Sequence, residues 1–324
     1  MSSKPILLLA FLPGVLAAQM PQHFEIDNSH SSVGFVVRFM GMSTVRGAFA
    51  DYGGTLMYQP NAVEKSSVSA RIATASINTN EPQRDQHLKS PDFFDVVKFP
   101  YITFRSTAIR KTKDGFIADG DFSMHGVSKR LAIPFRMLNP PMPDAWGNSR
   151  MTLEGSIKLS RKEYGILGTA FWNSEFDPGR MSVSDDVQID LLISATIPNV
   201  LKWGDAQGDS LLADIEARGV NAAVASYRSA RLTNPKIDSI PGFAFSMAAR
   251  KLIAKNRIPD AIALYEAVTE TRPRAIALRA LLGEAYAKLG QLDKARSMFE
   301  VVAAADSTST MAAEYLRVLG RKGP

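Results

Sequence analysis

The sequence predicts two folds in series: a mainly β N-terminal domain, an eight-stranded antiparallel barrel, followed by an all-α helical repeat domain. Three observations predict it. Up to about Ile197 the apolar residues alternate every second position, in short runs split by Gly, Pro, Asn and Asp, which is the period of a half-buried strand. After Gly208 they recur every three to four residues, the period of an amphipathic helix. The helical segments also repeat: Ala261 and Tyr265 are followed 34 residues later by Ala295 and Phe299.

The strands come first. In residues 32–40, Val33, Phe35, Val37 and Phe39 point one way, and Ser32, Gly34, Val36 and Arg38 the other. The same dyad returns with Ile102 and Phe104, with Phe116, Ala118, Phe122 and Met124, and with Leu131, Ile133 and Phe135. It appears again with Leu153 and Ile157 and with Val187, Ile189, Leu191 and Ile193. Breaks are expected at residues 51–54, 113–115 and 146–148. No long helical pattern lies between the strands, so the sheet is an antiparallel meander rather than a βαβ array. Such a sheet hides both its apolar face and its edges by closing on itself. Eight strands make a lumen that is either filled by its own side chains or holds one small ligand. The pattern alone leaves these two equally open. The inner face carries Val33, Phe35, Val37, Phe39, Ile102, Phe104, Phe122, Ile133, Phe135, Ile157, Ile189 and Leu191, and a ligand among them would be apolar and elongated.

One segment breaks the rhythm. Residues 79–100 (TNEPQRDQHLKSPDFFDVVKFP) read as a short helix and a loop across a barrel end. Phe93 and Phe94 are expected to pack over the lumen, while Arg84, Asp85 and His87 form a polar cluster at its mouth. A structural plug with local charge pairing is the competing reading.

Composition narrows the classes. Hydrophobic residues make up 45% and charged residues 22% of the chain, an ordinary globular balance. Residues 1–18 have a single side-chain charge, Lys4, then an apolar run over 6–16 and small residues at Ala17 and Ala18. That is the layout of a cleavable signal peptide, and it predicts export to the periplasm or outside the cell. The sequence has no cysteine, which excludes disulfides, thiolate catalysis and a lipidated N-terminal Cys. The net charge of +6 is scattered among acids, with no basic stripe of the kind that binds nucleic acid.

The blocks that carry these features resemble the YceI-like family of bacterial periplasmic, lipocalin-like proteins. The likeness runs through Ile26-Asp27, residues 30–35 (HSSVGF), 40–49 (MGMSTVRGAF), 84–94 (RDQHLKSPDFF), Phe99-Pro100 and Phe104–Ser106. It continues in 120–129 (GDFSMHGVSK) and 157–166 (IKLSRKEYGI). The resemblance implies a barrel whose pore holds a long-chain amphiphile such as a polyisoprenoid, a quinone or a fatty-acid derivative, and it tips the lumen question toward a ligand. Two departures bear on the head group. Arg38-Phe39 stands where the family often has a second His, and Ser123-Met124-His125 replaces a threonine-rich step.

In the tail, Leu282, Gly283, Tyr286, Gly290, Ala295 and Phe299 resemble a tetratricopeptide repeat, with degenerate earlier copies at Ala261, Tyr265 and Pro273 and at Ala223, Tyr227 and Pro235. The resemblance implies a protein partner; a helical cap on the barrel or a self-association device is the alternative. The expected organisation is a leader over 1–18, a lipid-binding barrel over 24–198, a linker over 199–208 containing Trp203, and repeats over 209–324. The linker tryptophan suits either docking of the two domains or contact with a membrane surface, and a dimer is compatible with the sequence.

Catalysis is not expected. His23, His30, His87 and His125 show no HxH or HxxxH spacing, so no metal site is assigned. There is no GxSxG elbow and no glycine-rich phosphate loop, and Asp185-Asp186 reads as turn chemistry. No cofactor is called for beyond a bound lipid. The leading function is an exported carrier or sequestering protein for a long-chain lipid. The alternatives are an interaction protein with a dry barrel, and an enzyme acting on an isoprenoid lipid.

Overall fold

The computed structural model describes residues 20–144, 148–202, 204–233 and 242–320. The leader, Trp146 and Gly147 of the expected third break, Trp203 of the linker, and Pro235 with the turn after it lie outside these residues.

The chain divides into two compact units. One comprises Gln22–Trp203 with Val302–Pro324, and the other includes Gly204–Val301. In the first unit the strands are β1 (Gln22–Ile26), β2 (Ser32–Phe39), β3 (Ser43–Phe49), β4 (Tyr52–Tyr58), β5 (Ser67–Ala73), β6 (Ile77–Asn78), β7 (Tyr101–Lys111), β8 (Phe116–Met124), β9 (Val127–Pro143), β10 (Ser149–Ser160), β11 (Glu175–Asp177), β12 (Arg180–Met181) and β13 (Val183–Ile197). Eight of them close a ring in the order β1-β4-β5-β7-β8-β9-β10-β13, antiparallel throughout, and β13 returns to β1 at Glu25↔Thr196 and Ile26↔Ala195. The predicted eight-stranded barrel is therefore the fold.

The ring closes because β13 is long enough to serve two partners. Its first part pairs with β2, from Val183↔Phe39 to Leu192↔Ser32, and its last residues pair with β1. Between β1 and β2 the chain makes a short turn over Asn28–His30, capped by the Asp27 side chain on the Ser29 amide. β2, β3 and β6 then extend the sheet beyond the ring.

The break expected at residues 51–54 is placed differently. Tyr52, Gly53 and Gly54 lie within β4, and the chain changes partners at Ala50 and Asp51. Gly54 is needed for close packing rather than for a turn, because a Cβ there would lie 2.5 Å from the Ser69 carbonyl oxygen. The break at 113–115 is the β7–β8 turn, with Gly115 at φ +150°.

The helices are α1 (Pro82–Lys89), α2 (Ala206–Arg218), α3 (Val220–Thr233), α4 (Gly242–Ala254), α5 (Ile258–Thr271), α6 (Ile276–Lys288), α7 (Leu292–Ala305) and α8 (Thr310–Gly320). The second unit shows the packing that the repeat spacing implies. Gly283 of α6 lets Phe299 of α7 come within 3.0 Å of the position its own Cβ would take. Tyr265 and Phe245 are fully buried, and Tyr227 meets Phe245 edge-on at 4.7 Å.

Although α8 falls at the end of the repeat pattern, it packs on the outer wall of the barrel. Thr55 and Ser67 of β4 and β5 are buried beneath it, and their short side chains let the helix approach. Thr55 Oγ1 lies 3.0 Å from Thr310 Oγ1, Arg71 donates to Thr308 Oγ1 at 2.7 Å, and Arg105 donates to the Ala313 carbonyl at 3.0 Å. Glu314, fully buried, accepts from the Ser67 hydroxyl and from Arg317 Nη2 at 2.8 Å.

Candidate functional site

The alternating faces of the ring enclose a cavity of about 300 Å³ with an almost wholly apolar surface. Every residue assigned to the inner face in sequence lines it except Phe39. Phe39 stands at the end of β2 opposite Val183, just before the β13 register shift at Val187; Val183 lines the cavity and Phe39 does not. The Phe39 ring lies 6.4 Å from Trp172 instead.

Space in the lumen depends on two glycines that face aromatic rings. A Cβ on Gly47 would lie 2.3 Å from the Phe35 ring, and one on Gly120 would lie 2.6 Å from the Phe104 ring. The far end of each ring therefore rests where a side chain would otherwise stand, on a bare stretch of backbone. Phe116 and Phe135 add a stacked pair at 5.5 Å. At one end the lumen is packed by Phe24, Met151 and Ala195, all nearly or fully buried.

The other end is covered by α1 and the loop after it. Glu81 caps α1 by accepting from the Gln83 and Arg84 amides, and Pro82 starts the helix. Phe93, Phe94 and Leu88 line the cavity. Arg84 does not reach it, since it donates to Thr79 Oγ1 at 2.8 Å and to the Thr79 carbonyl at 2.9 Å. Asp85 accepts from the Thr79 amide at 2.9 Å, so Arg84 and Asp85 converge on the same threonine. His87 does not join them: Nε2 lies 3.0 Å from Asp92 Oδ2, and the ring meets Phe93 edge-on at 5.0 Å. The expected cluster is thus two separate local networks that hold the cap in place.

Arg161 was not singled out in the sequence, although it stands in the block 157–166. Its side chain lines the cavity and is only 5% exposed. The guanidinium donates to the carbonyls of Ser184 (3.0 Å), Ile166 (2.9 Å), Leu167 (2.8 Å), Trp172 (3.2 Å) and Val183 (3.3 Å), and to Asn173 Oδ1 (3.0 Å). One cation thereby gathers the backbone of 166–173 onto β13. Burial pushes its pKa down, opposed by the Asp185 charge, and a guanidinium keeps its proton in either case.

Two carboxylates brace the barrel. Asp27 contacts His30 Nδ1 at 2.7 Å and accepts from Arg150 Nη1 at 2.7 Å. Asp185 accepts from the Lys162 amide at 2.9 Å and from Ser160 Oγ at 2.8 Å. Burial acts to raise both, but hydrogen bonds and nearby positive charge outweigh it, and both lie below the usual carboxylate value. Their stabilisation is fully present above the unfolded value of about 4 and is lost as pH falls through the depressed folded values. Urea unfolding of the barrel is therefore expected to show a lower midpoint below about pH 4, and Asp27→Asn to flatten that dependence. A midpoint independent of pH over this range would show that the two groups do not brace the fold.

The other histidines have local partners as well. His125 Nδ1 lies 3.1 Å from the Tyr164 carbonyl oxygen, and His23 meets the Tyr315 ring at 5.6 Å. Among the described residues no three His, Asp or Glu side chains converge on a point.

A closed antiparallel barrel with an apolar cavity under a helical cap defines a lipocalin-like protein. The YceI-like domain model matches residues 24–195, more than half of the chain, and the chain belongs to that family. Residues 252–317 match a tetratricopeptide repeat model. The chain is 34% identical over 171 residues to a UPF0312 protein of Azotobacter vinelandii, covering 51% of this chain and 88% of that one. It is 32% identical over 145 residues to Protein YceI of Escherichia coli, covering 44% and 75% respectively. Among solved structures, BcnA of Burkholderia cenocepacia is similar at 22% identity and a TM-score of 0.46, over 53% of this chain and 99% of that one.

Proposed function

We propose that this protein is an exported, periplasmic carrier or sequestering protein that holds the apolar tail of a long-chain amphiphile, a polyisoprenoid, quinone or fatty-acid derivative, in its barrel. The observation that carries this reading is the cavity: about 300 Å³ inside a closed barrel, bounded almost entirely by hydrocarbon. Such a space offers a ligand burial and no directional chemistry. Ile102, Phe104, Phe122 and Ile133 are among the residues that would contact the tail, with Phe93 and Phe94 closing over it. The helical repeats would take a protein partner, a reading supported by the tetratricopeptide match.

Organic extraction of the purified protein followed by mass spectrometry tests the proposal. The expected result is one lipid per chain. Affinity should rise about fourfold for each CH₂ added to the tail, ~0.8 kcal/mol apiece, until the lumen is full. Recovery of no lipid, together with failure to take up a polyprenol from vesicles, would overturn the reading.

A further inference from the structure

The barrel wall has a seam. β9 pairs with β8 from Val127 to Phe135, and with β10 only from Phe135 onward. β10 pairs with β13 along its whole length, Ser149–Ser160. Residues 127–134 of β9 and 156–160 of β10 are therefore neighbours in the ring that share no ladder. The strands part beside Pro134, which has no N–H to offer a neighbour. Gly155, the last β10 residue to pair with β9, is opposite Phe135, and a Cβ there would lie 2.9 Å from the Pro134 carbonyl oxygen.

The two sides of the seam differ in character. Inside, Ile133 of β9 and Ile157 of β10 line the lumen and are only half-buried, whereas Ile102 and Phe104 on the intact part of the wall are buried. Outside, at the level where the ladder ends and beside the β7–β8 turn, lies a groove of about 770 Å³ bordered by Arg136, Glu154, Ser156 and Asp190. Groove and lumen share Phe135, Glu154, Gly155 and Leu191 in their linings. Phe135 and Leu191 belong to the inner face, so the groove reaches through the wall at this level. The two barrel ends offer less room. Phe24, Met151 and Ala195 pack one, and Phe93, Tyr164 and Ile166 are buried across the other.

We propose that the seam is a lateral portal: an apolar tail passes between β9 and β10 into the lumen, and the polar head of the same molecule stays in the outer groove. Beyond Phe135 and Gly155 no backbone ladder joins the two strands, so a tail passing there parts side-chain packing rather than a run of backbone hydrogen bonds. At the groove the Arg136–Glu154 ion pair, 2.6 Å, crosses from β9 to β10 and has to open. A polar head left in the groove keeps access to water and to the side chains of Arg136, Glu154, Ser156 and Asp190. The inference rests on the lipid-binding reading above.

Head and tail are located separately in the test. The full chain is loaded with a polyprenol whose alcohol end carries a benzophenone; uptake is measured by extraction, and the head is mapped by photocrosslinking and peptide mass spectrometry. Crosslinks are expected in residues 134–136, 154–156 and 190–192. Crosslinks confined to residues 84–94 or 164–172 would overturn the portal and leave the carrier reading intact, and no uptake at all would overturn both. Ala132→Trp, exposed on the outer face of β9 within the seam and outside the groove lining, should slow uptake from phosphatidylcholine vesicles by about tenfold with the final amount bound unchanged. An unchanged rate would also overturn the portal.

Discussion

Arg161→Met is expected to lower the stability of the barrel by about 3–5 kcal/mol, roughly 10 °C in Tm for a domain of this size. The guanidinium is the shared donor for five backbone carbonyls and one amide oxygen around residues 166–184. A methionine fills much of the same volume and donates to none of them. The carbonyls are then left in a nearly dry site, and each costs about 1–3 kcal/mol unless the loop opens to water. Opening uncovers Tyr164 and Ile166, which belong to the hydrophobic core beneath. Arg161→Lys keeps the charge but has no fork to span six acceptors, so its loss should be intermediate. Urea unfolding followed by circular dichroism measures both. Variants within about 0.5 kcal/mol of the parent would show that the loop holds without the cation.

Phe104→Asp should abolish lipid retention, a loss of about a hundredfold or more in affinity. The far end of the ring rests on Gly120 at the lumen wall, and the residue is 9% exposed. A carboxylate in its place faces a cavity with almost no polar surface, so it either keeps water in the lumen or takes up a proton. Either outcome opposes a hydrocarbon tail. The same substitution also costs stability, and Ala118→Leu separates the two effects. Ala118 lines the cavity and is 4% exposed. The larger apolar side chain occupies ligand space without burying charge, so this variant should stay folded and still lose lipid. Full retention by both variants, with native circular dichroism, would place the ligand outside the lumen.

How much of this was legible follows from the range of each signal. Strand alternation is local, so the inner faces of β2, β7, β8 and β13 could be read residue by residue. Phe39 keeps the β2 register but stands at the strand's end, where its ring lies 6.4 Å from Trp172, a neighbour distant in the chain that the β2 sequence cannot show. The 84–94 block identified the cap, but not that Arg84 would turn back to Thr79 while His87 joined Asp92. Arg161 could have been suspected from its place in the block 157–166, where a cation follows two inward-facing apolar residues. Nothing local says that its partners lie over the following twelve residues and on β13.

By itself the sequence determined that two periodicities meet near residue 200, that the first builds an apolar-lined antiparallel sheet, and that the second repeats every 34 residues. It could do so because period and turn chemistry are written into adjacent residues. Only the tertiary structure decided which strands meet and where they part. Closure of β13 on β1, the seam between β9 and β10, and the seating of α8 on β4 and β5 each join segments distant in the chain. Such pairings are chosen by the burial and hydrogen bonding of the whole barrel. No single stretch of sequence carries that sum.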